Sequence, residues 1–71
     1  MKFFECIDGN GRRLRACIQQ NNMNARPMFS LSVQIQEWDT GRWHPEFDRS
    51  YTTEQAAIRA LMKRWPGMER R

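Results

Sequence analysis

Residues 28–38 hold the pattern that most restricts what this chain can fold into. Phe29, Leu31, Val33 and Ile35 alternate with Ser30, Ser32, Gln34 and Gln36. Successive side chains of a strand point to opposite faces, so this period of two specifies a strand with one apolar face and one polar face. Such a strand needs neighbours in a sheet and a second layer against its apolar side.

The second layer is written further along the chain. Ala57, Ile58, Leu61, Met62 and Trp65 fall on one stripe at helical spacing. The signals at its ends predict a helix over 52–65. Thr52-x-x-Gln55 fits a capping box and Glu54 suits the positive end of the helix dipole. Lys63 and Arg64 suit the negative end, and Pro66-Gly67 stops the helix. The tail over 66–71 is expected to fray.

Residues 1–20 read as a hairpin with strands over 2–8 and 12–20. A two-residue turn at Asn10-Gly11 places Ile7 opposite Leu14 and Phe3 opposite Ile18 on one side. Asp8 then faces Arg13, Cys6 faces Arg15 and Phe4 faces Cys17 on the other. Pairing Leu14 with Glu5 and Ile7 with Arg12 instead is worse, and register follows the hydrophobic pattern. In this register Cys6 and Cys17 share a face but sit diagonally. Diagonal neighbours are roughly 7–8 Å apart, beyond the usual reach of a disulfide, so free thiols are expected.

The segment from Asn21 to Pro27 reads as a polar connection. A second hairpin over 28–51 turns at Asp39-Thr40-Gly41, with the glycine in the left-handed position. Trp43 and Phe47 continue the apolar face on its second strand. Pro45 lies between them and has no N–H to give, so this strand should be an edge or carry a bulge. The fold class is therefore α+β: a four-stranded antiparallel sheet in the order β-β-β-β-α with one helix packed on one face. The 71 residues form a single domain. A core this small favours a flat or shallow binding surface over a deep cleft, since a chain of about 60 residues buries only ~60% of its surface.

One helix stripe covers one face of a sheet, which leaves the other open. The open face should display Phe4, Cys6, Asp8, Arg13, Arg15, Cys17 and Gln19 from the first hairpin. Ser30, Ser32, Gln34, Gln36 and Trp38 join them from the second. Here composition matters. Ten of the twelve basic residues are arginine, against eight acidic residues, for a net charge of +4. The planar guanidinium grips phosphate or carboxylate in a fork, which lysine does not. Arginine, glutamine and an aromatic on a sheet face can contact phosphates and stack on bases. Arg13, Arg15, Gln19, Gln34, Gln36 and Trp38 are thus the predicted contact residues. Arg12, Arg42 and Arg49 are expected to extend the positive rim. A second basic strip, Arg59 with Lys63 and Arg64, lies on the helix and reads as a solvated face.

Signatures of catalysis and cofactors are lacking. His44 is the one histidine, and Cys6, Cys17 and His44 lack the close Cys-x-x-Cys spacing of a zinc site. No glycine-rich phosphate loop leads from a strand into a helix. Asp8-Gly9-Asn10-Gly11 lacks the later ligands and closing glutamate of a calcium loop. The expectation is a non-enzymatic protein without cofactor or metal. Met1-Lys2-Phe3-Phe4 leads into Glu5 and Asp8 rather than into an apolar run, and nothing approaches the ~20 apolar residues of a membrane span. A cytoplasmic protein is expected, with no membrane partner.

Two family resemblances follow from these residues. Met1-Lys2-Phe3, then Phe47-Asp48 with Thr53-Glu54-Gln55, then Trp65-Pro66-Gly67 resemble part of a small phage anti-CRISPR inhibitor. The likeness covers about a third of the chain. It implies an antiparallel sheet followed by helix, a phage or mobile-element origin, and inhibition of a host CRISPR effector or other nucleoprotein complex by covering its surface. Many such inhibitors are acidic DNA mimics, from which this basic chain departs. Trp38-Asp39-Thr40-Gly41-Arg42-Trp43 and Tyr51-Thr52-Thr53-Glu54-Gln55-Ala56 are similar to the turn and helix start of the three-strand-plus-helix DNA-binding domains of phage integrases and plant AP2 factors. That likeness implies a sheet placed in the major groove, with Arg13, Arg15, Gln34 and Gln36 as readers. A fourth strand and Pro45 depart from that pattern.

The leading functional expectation is an anti-CRISPR-like inhibitor of a nucleoprotein complex. The alternative is a small basic DNA- or RNA-binding module using its open sheet face. A monomer or weak homodimer is expected, the dimer joined through the edge strand bearing Pro45.

Overall fold

A computed structural model describes every residue except Asn24 and Ala25. Its elements in chain order are β1 (Lys2–Ile7), β2 (Arg13–Met23), β3 (Arg26–Gln36), β4 (Trp43–Tyr51), α1 (Glu54–Arg64) and β5 (Glu69–Arg70). The five strands form one antiparallel sheet in the order β4-β3-β2-β1-β5. The α+β class stands, with five strands rather than four. The extra strand comes from the segment expected to fray: β5 pairs with β1 and buries Met68 beside it. A single apolar residue between Gly67 and Glu69 gives no period to read, yet it anchors this edge.

The β2–β3 hairpin forms the spine. Their ladder runs from Leu14↔Ile35 to Met23↔Arg26, so both strands extend into the segment read as a polar connection. The part of that connection at Asn24 and Ala25 lies outside the described residues. One face carries Leu14, Ala16 and Ile18 from β2 with Leu31 and Val33 from β3, all buried. Helix α1 lies over β2, β3 and β4 and adds Ala57 and Leu61, with Ile58, Met62 and Trp65 packed at the margin. Trp65 meets Phe47 edge-on at 6.1 Å between ring centroids, and Arg64 lies over the same ring.

The helix starts one residue later than its capping box predicts. Thr53 is the N-cap, and its hydroxyl accepts from the Ala56 amide at 3.1 Å. Two adjacent threonines both offer a cap, and Thr53 places Glu54 in the first turn, where Lys2 pairs with it. Trp65 closes the helix before Pro66-Gly67, as the sequence requires.

The first hairpin corrects the predicted register by one residue. β1 pairs Lys2↔Ile18, Phe4↔Ala16 and Cys6↔Leu14. The loop between the strands is Gly9-Asn10-Gly11, closed by Asp8 N–H donating to the Arg12 carbonyl. Gly11 takes the left-handed conformation, with φ of 80°. The Asp8 carboxylate accepts from the Asn10 and Arg12 amides, which favours three loop residues over two. A shift of one exchanges every β1 side chain between faces. Phe4 and Cys6, expected on the open face, belong to the covered one, and Phe4 is buried. Phe3 and Ile7, expected in the core, stand 50% and 69% exposed. Asp8 sits in the turn and does not pair with Arg13. The cysteines are free and lie on opposite faces rather than diagonally on one.

Candidate functional site

Cross-strand partners share a face, so the register lays out the open surface in transverse rows. One row runs Phe3, Cys17, Ser32, Asp48 from β1 to β4, and the next runs Glu5, Arg15, Gln34, Pro45. Short side chains at Cys17 and Ser32 leave a floor between taller neighbours. The result is an open depression of about 690 Å³, walled by Phe3 and Arg71 on one side and by Arg15 and Trp43 on the other.

Trp43 reaches this face because β4 bulges. Val33 pairs with Phe47 but Gln34 pairs with Pro45, so Glu46 is the extra residue of β4. The bulge exchanges the faces of the residues before it. Phe47 stays on the covered side, whereas Trp43, expected in the core, joins the open face. Pro45 fits both halves of its prediction, since β4 is an edge and is bulged beside it.

Arg15 is held in place from two directions. Its Nε donates to Gln34 Oε1 at 2.7 Å, and its guanidinium lies over the Trp43 ring at 4.1 Å from the centroid. A guanidinium on an aromatic face is a cation–π contact worth ~0.5–1 kcal/mol where exposed. The terminal nitrogens and the outer face of Arg15 have no partner among the described contacts. Arg13 is 58% exposed at its side chain, and Glu5 Oε2 is 4.0 Å from its Nη2. Glu5 also accepts from Arg71 at 2.6 Å.

The other predicted contact residues divide by location. Gln19 is exposed on the open face opposite Ser30. Gln36 is on the same face, and its amide donates to the Gly41 carbonyl. Arg12 and Arg42 are exposed in the two turns at one end of the sheet. Trp38 is 64% exposed in the second of these turns, and its ring lies against Gly11 of the first. That turn spans Trp38–Gly41, closed by Glu37 N–H donating to Arg42, with Gly41 left-handed as predicted. It has four residues instead of three. Arg49 lies by the Phe47 ring, on the covered side. Arg13, Arg15, Gln34 and Gln36 are thus brought together, and Trp38, Arg12 and Arg42 gather at one end.

Sequence reasoning missed Phe3, Trp43 and Arg71. The Asp8-x-Asn10-Gly11 chemistry could have signalled Phe3, and Pro45 could have signalled Trp43. His44 meets Glu37 at the edge of the sheet, and no three metal-ligating side chains gather among the described residues. No helix is long and apolar enough to cross a membrane among the described residues. Comparisons with protein-family models, curated proteins and solved structures found no match to this chain.

Proposed function

We propose that the chain works by binding, and that its open sheet face grips single-stranded nucleic acid. The observation that carries this reading is the Arg15–Trp43 stack, fixed by Gln34 and standing across a shallow floor from exposed Phe3. A planar cation already held flat presents a platform on which a base can stack, at little ordering cost on binding. Base stacking on such platforms contributes ~1–3 kcal/mol per base. Exposed rings suit unpaired bases, because duplex bases are already stacked and offer only their edges. The charge of +4, mostly arginine, supplies attraction to phosphate.

The test is fluorescence anisotropy with a labelled single strand of about 12 nucleotides, a length suited to one small sheet. A duplex of equal length is the comparison. Single-strand binding should weaken with salt at a log–log slope of about −0.7 per phosphate contact. Arg15→Ala should weaken it about tenfold, as expected for one lost stacking platform, with little change in melting temperature. Absence of binding to either strand form at any salt removes the reading.

Inhibition of a nucleoprotein defence complex is the special case in which the gripped strand belongs to that complex. That reading is supported by the resemblance of its Thr53-Glu54-Gln55 and Trp65-Pro66-Gly67 segments rather than by the site geometry. Co-purification with a CRISPR effector complex, lost on Arg15→Ala, is its test.

A further inference from the structure

Glu5 stands between the side chains of Arg13 and Arg71. It accepts a hydrogen bond from Arg71 Nη1 at 2.6 Å and lies 4.0 Å from Arg13 Nη2, while the guanidinium of its cross-strand partner Arg15 is held at Gln34 and Trp43. Glu69, its partner on β5, is the other acidic group beside it. Cations outnumber anions here, and Glu5 and the three guanidiniums line the same depression as Phe3 and Trp43. The Arg71 guanidinium is there because β5 pairs with β1: the Arg71 amide donates to the Phe3 carbonyl at 2.8 Å.

We propose that Arg13 and Arg71 form a seat for one phosphate group of the bound strand, beside the Arg15 platform, and that the Glu5 carboxylate occupies this seat when no ligand is present. The proposal rests on the nucleic-acid reading above and adds to it a particular anion site and a competitor built into the chain. Carboxylate and phosphate oxygens accept from guanidinium in the same way, so one can replace the other on the same donors. The exchange is cheap. The side chains of Glu5 and Arg71 are 39% and 61% exposed, and an ion pair so open to water adds little to fold stability. On binding, the Glu5 side chain rotates into solvent and the phosphate takes its hydrogen bonds. The neighbouring Phe3 and the Arg15–Trp43 stack then flank that nucleotide on either side.

The experiment titrates the labelled single strand with wild type, Glu5→Gln, Arg71→Gln and Glu46→Gln over a salt series. Glu46 is exposed on β4 and has no ion pair among the described residues, so Glu46→Gln controls for simple loss of a negative charge. Glu5→Gln should bind about two- to fivefold tighter than Glu46→Gln, the gain expected from releasing one exposed ion pair. Arg71→Gln should bind more weakly, with a log–log salt slope shallower by about 0.7, the loss of one phosphate contact. Glu5→Gln that binds no tighter than Glu46→Gln, while wild type binds, overturns the seat and leaves the nucleic-acid reading in place. No binding by any of the four proteins overturns both. Melting curves show whether Glu5→Gln has folded, and if it has not, an unchanged slope in Arg71→Gln overturns the seat by itself.

Discussion

Phe3 and Phe4 are neighbours in the chain and belong to different regimes. Phe4 is buried in the core with Leu14, Ala16 and Leu61, whereas Phe3 stands half exposed on the uncovered face beside Cys17. The same contrast holds across the whole sheet. The covered face is apolar and buried at its centre, and the charges at its margin, Lys2 with Glu54 and Arg64 over Phe47, sit where water reaches them. The open face mixes aromatic rings with arginine and glutamine, with no second layer over it among the described residues. Burial is what a small chain needs to fold, so one face supplies stability and the other is free to be chosen for contact.

The sharpest way to break this comparison is to truncate the two phenylalanines in turn. Phe4→Ala should cost about 3–5 kcal/mol, the range for emptying a buried aromatic site. Phe3→Ala should cost under about 1 kcal/mol, as surface changes usually do, and should weaken oligonucleotide binding. Chemical denaturation of both variants measures the difference. Equal losses would mean that the two residues do not lie on opposite faces.

Met68 extends the comparison to the edge of the sheet. Its side chain is 3% exposed, so Met68→Ala should cost about 2 kcal/mol or more. A frayed tail would give no loss at all. Because β5 also places Arg71, this variant should reduce both binding and stability, whereas Phe3→Ala should reduce binding with little loss of stability.

Gly11 joins the two turns at the end of the open face. Its φ of 80° disfavours any side chain, and an added Cβ would lie 2.9 Å from the Trp38 ring. Gly11→Ala should therefore destabilise by about 1 kcal/mol or somewhat more. Trp38 fluorescence should shift as the ring is pushed away. A neutral effect on both would place the loop in another conformation.

These variants fall where the sequence was least informative. β2 and β3 are legible because one parity of each carries an unbroken apolar series: Leu14, Ala16 and Ile18, then Phe29, Leu31, Val33 and Ile35. Their contributions to the open face, Arg13, Arg15, Gln34 and Gln36, are legible for the same reason. β1 has apolar residues on both parities, Phe3 and Ile7 against Phe4 and Cys6, so its pattern supports either register. The decision passes to the turn, where the Asp8 carboxylate and the left-handed Gly11 select a three-residue loop. Trp43 was obscured by a bulge, which reverses parity within a strand. Arg71 was obscured by a strand of two residues, too short to have a pattern.

The smallest effect concerns Cys6, and it tests the β1 register through chemistry. In the two-residue-turn register Cys6 would face Arg15, whose charge would favour the thiolate and lower the thiol pKa. In the observed register Cys6 lies on the covered face, where burial first and the nearby Asp8 charge second push its pKa above the ordinary thiol value. The two registers therefore predict opposite signs. The thiolate is the reactive form, so Cys6 should alkylate with iodoacetamide more slowly than a short cysteine peptide at neutral pH, as followed by mass spectrometry of the Cys6 fragment. The linkage has a definite sign too. A thiol that is neutral in the fold and has a raised pKa contributes stability at pH below the ordinary thiol range, and that contribution is lost as pH rises through the folded value. Replacing Cys6 by Ser should flatten this alkaline decline slightly. Alkylation of Cys6 faster than the peptide would place the thiol beside the arginines, and Phe4 would then belong to the open face after all.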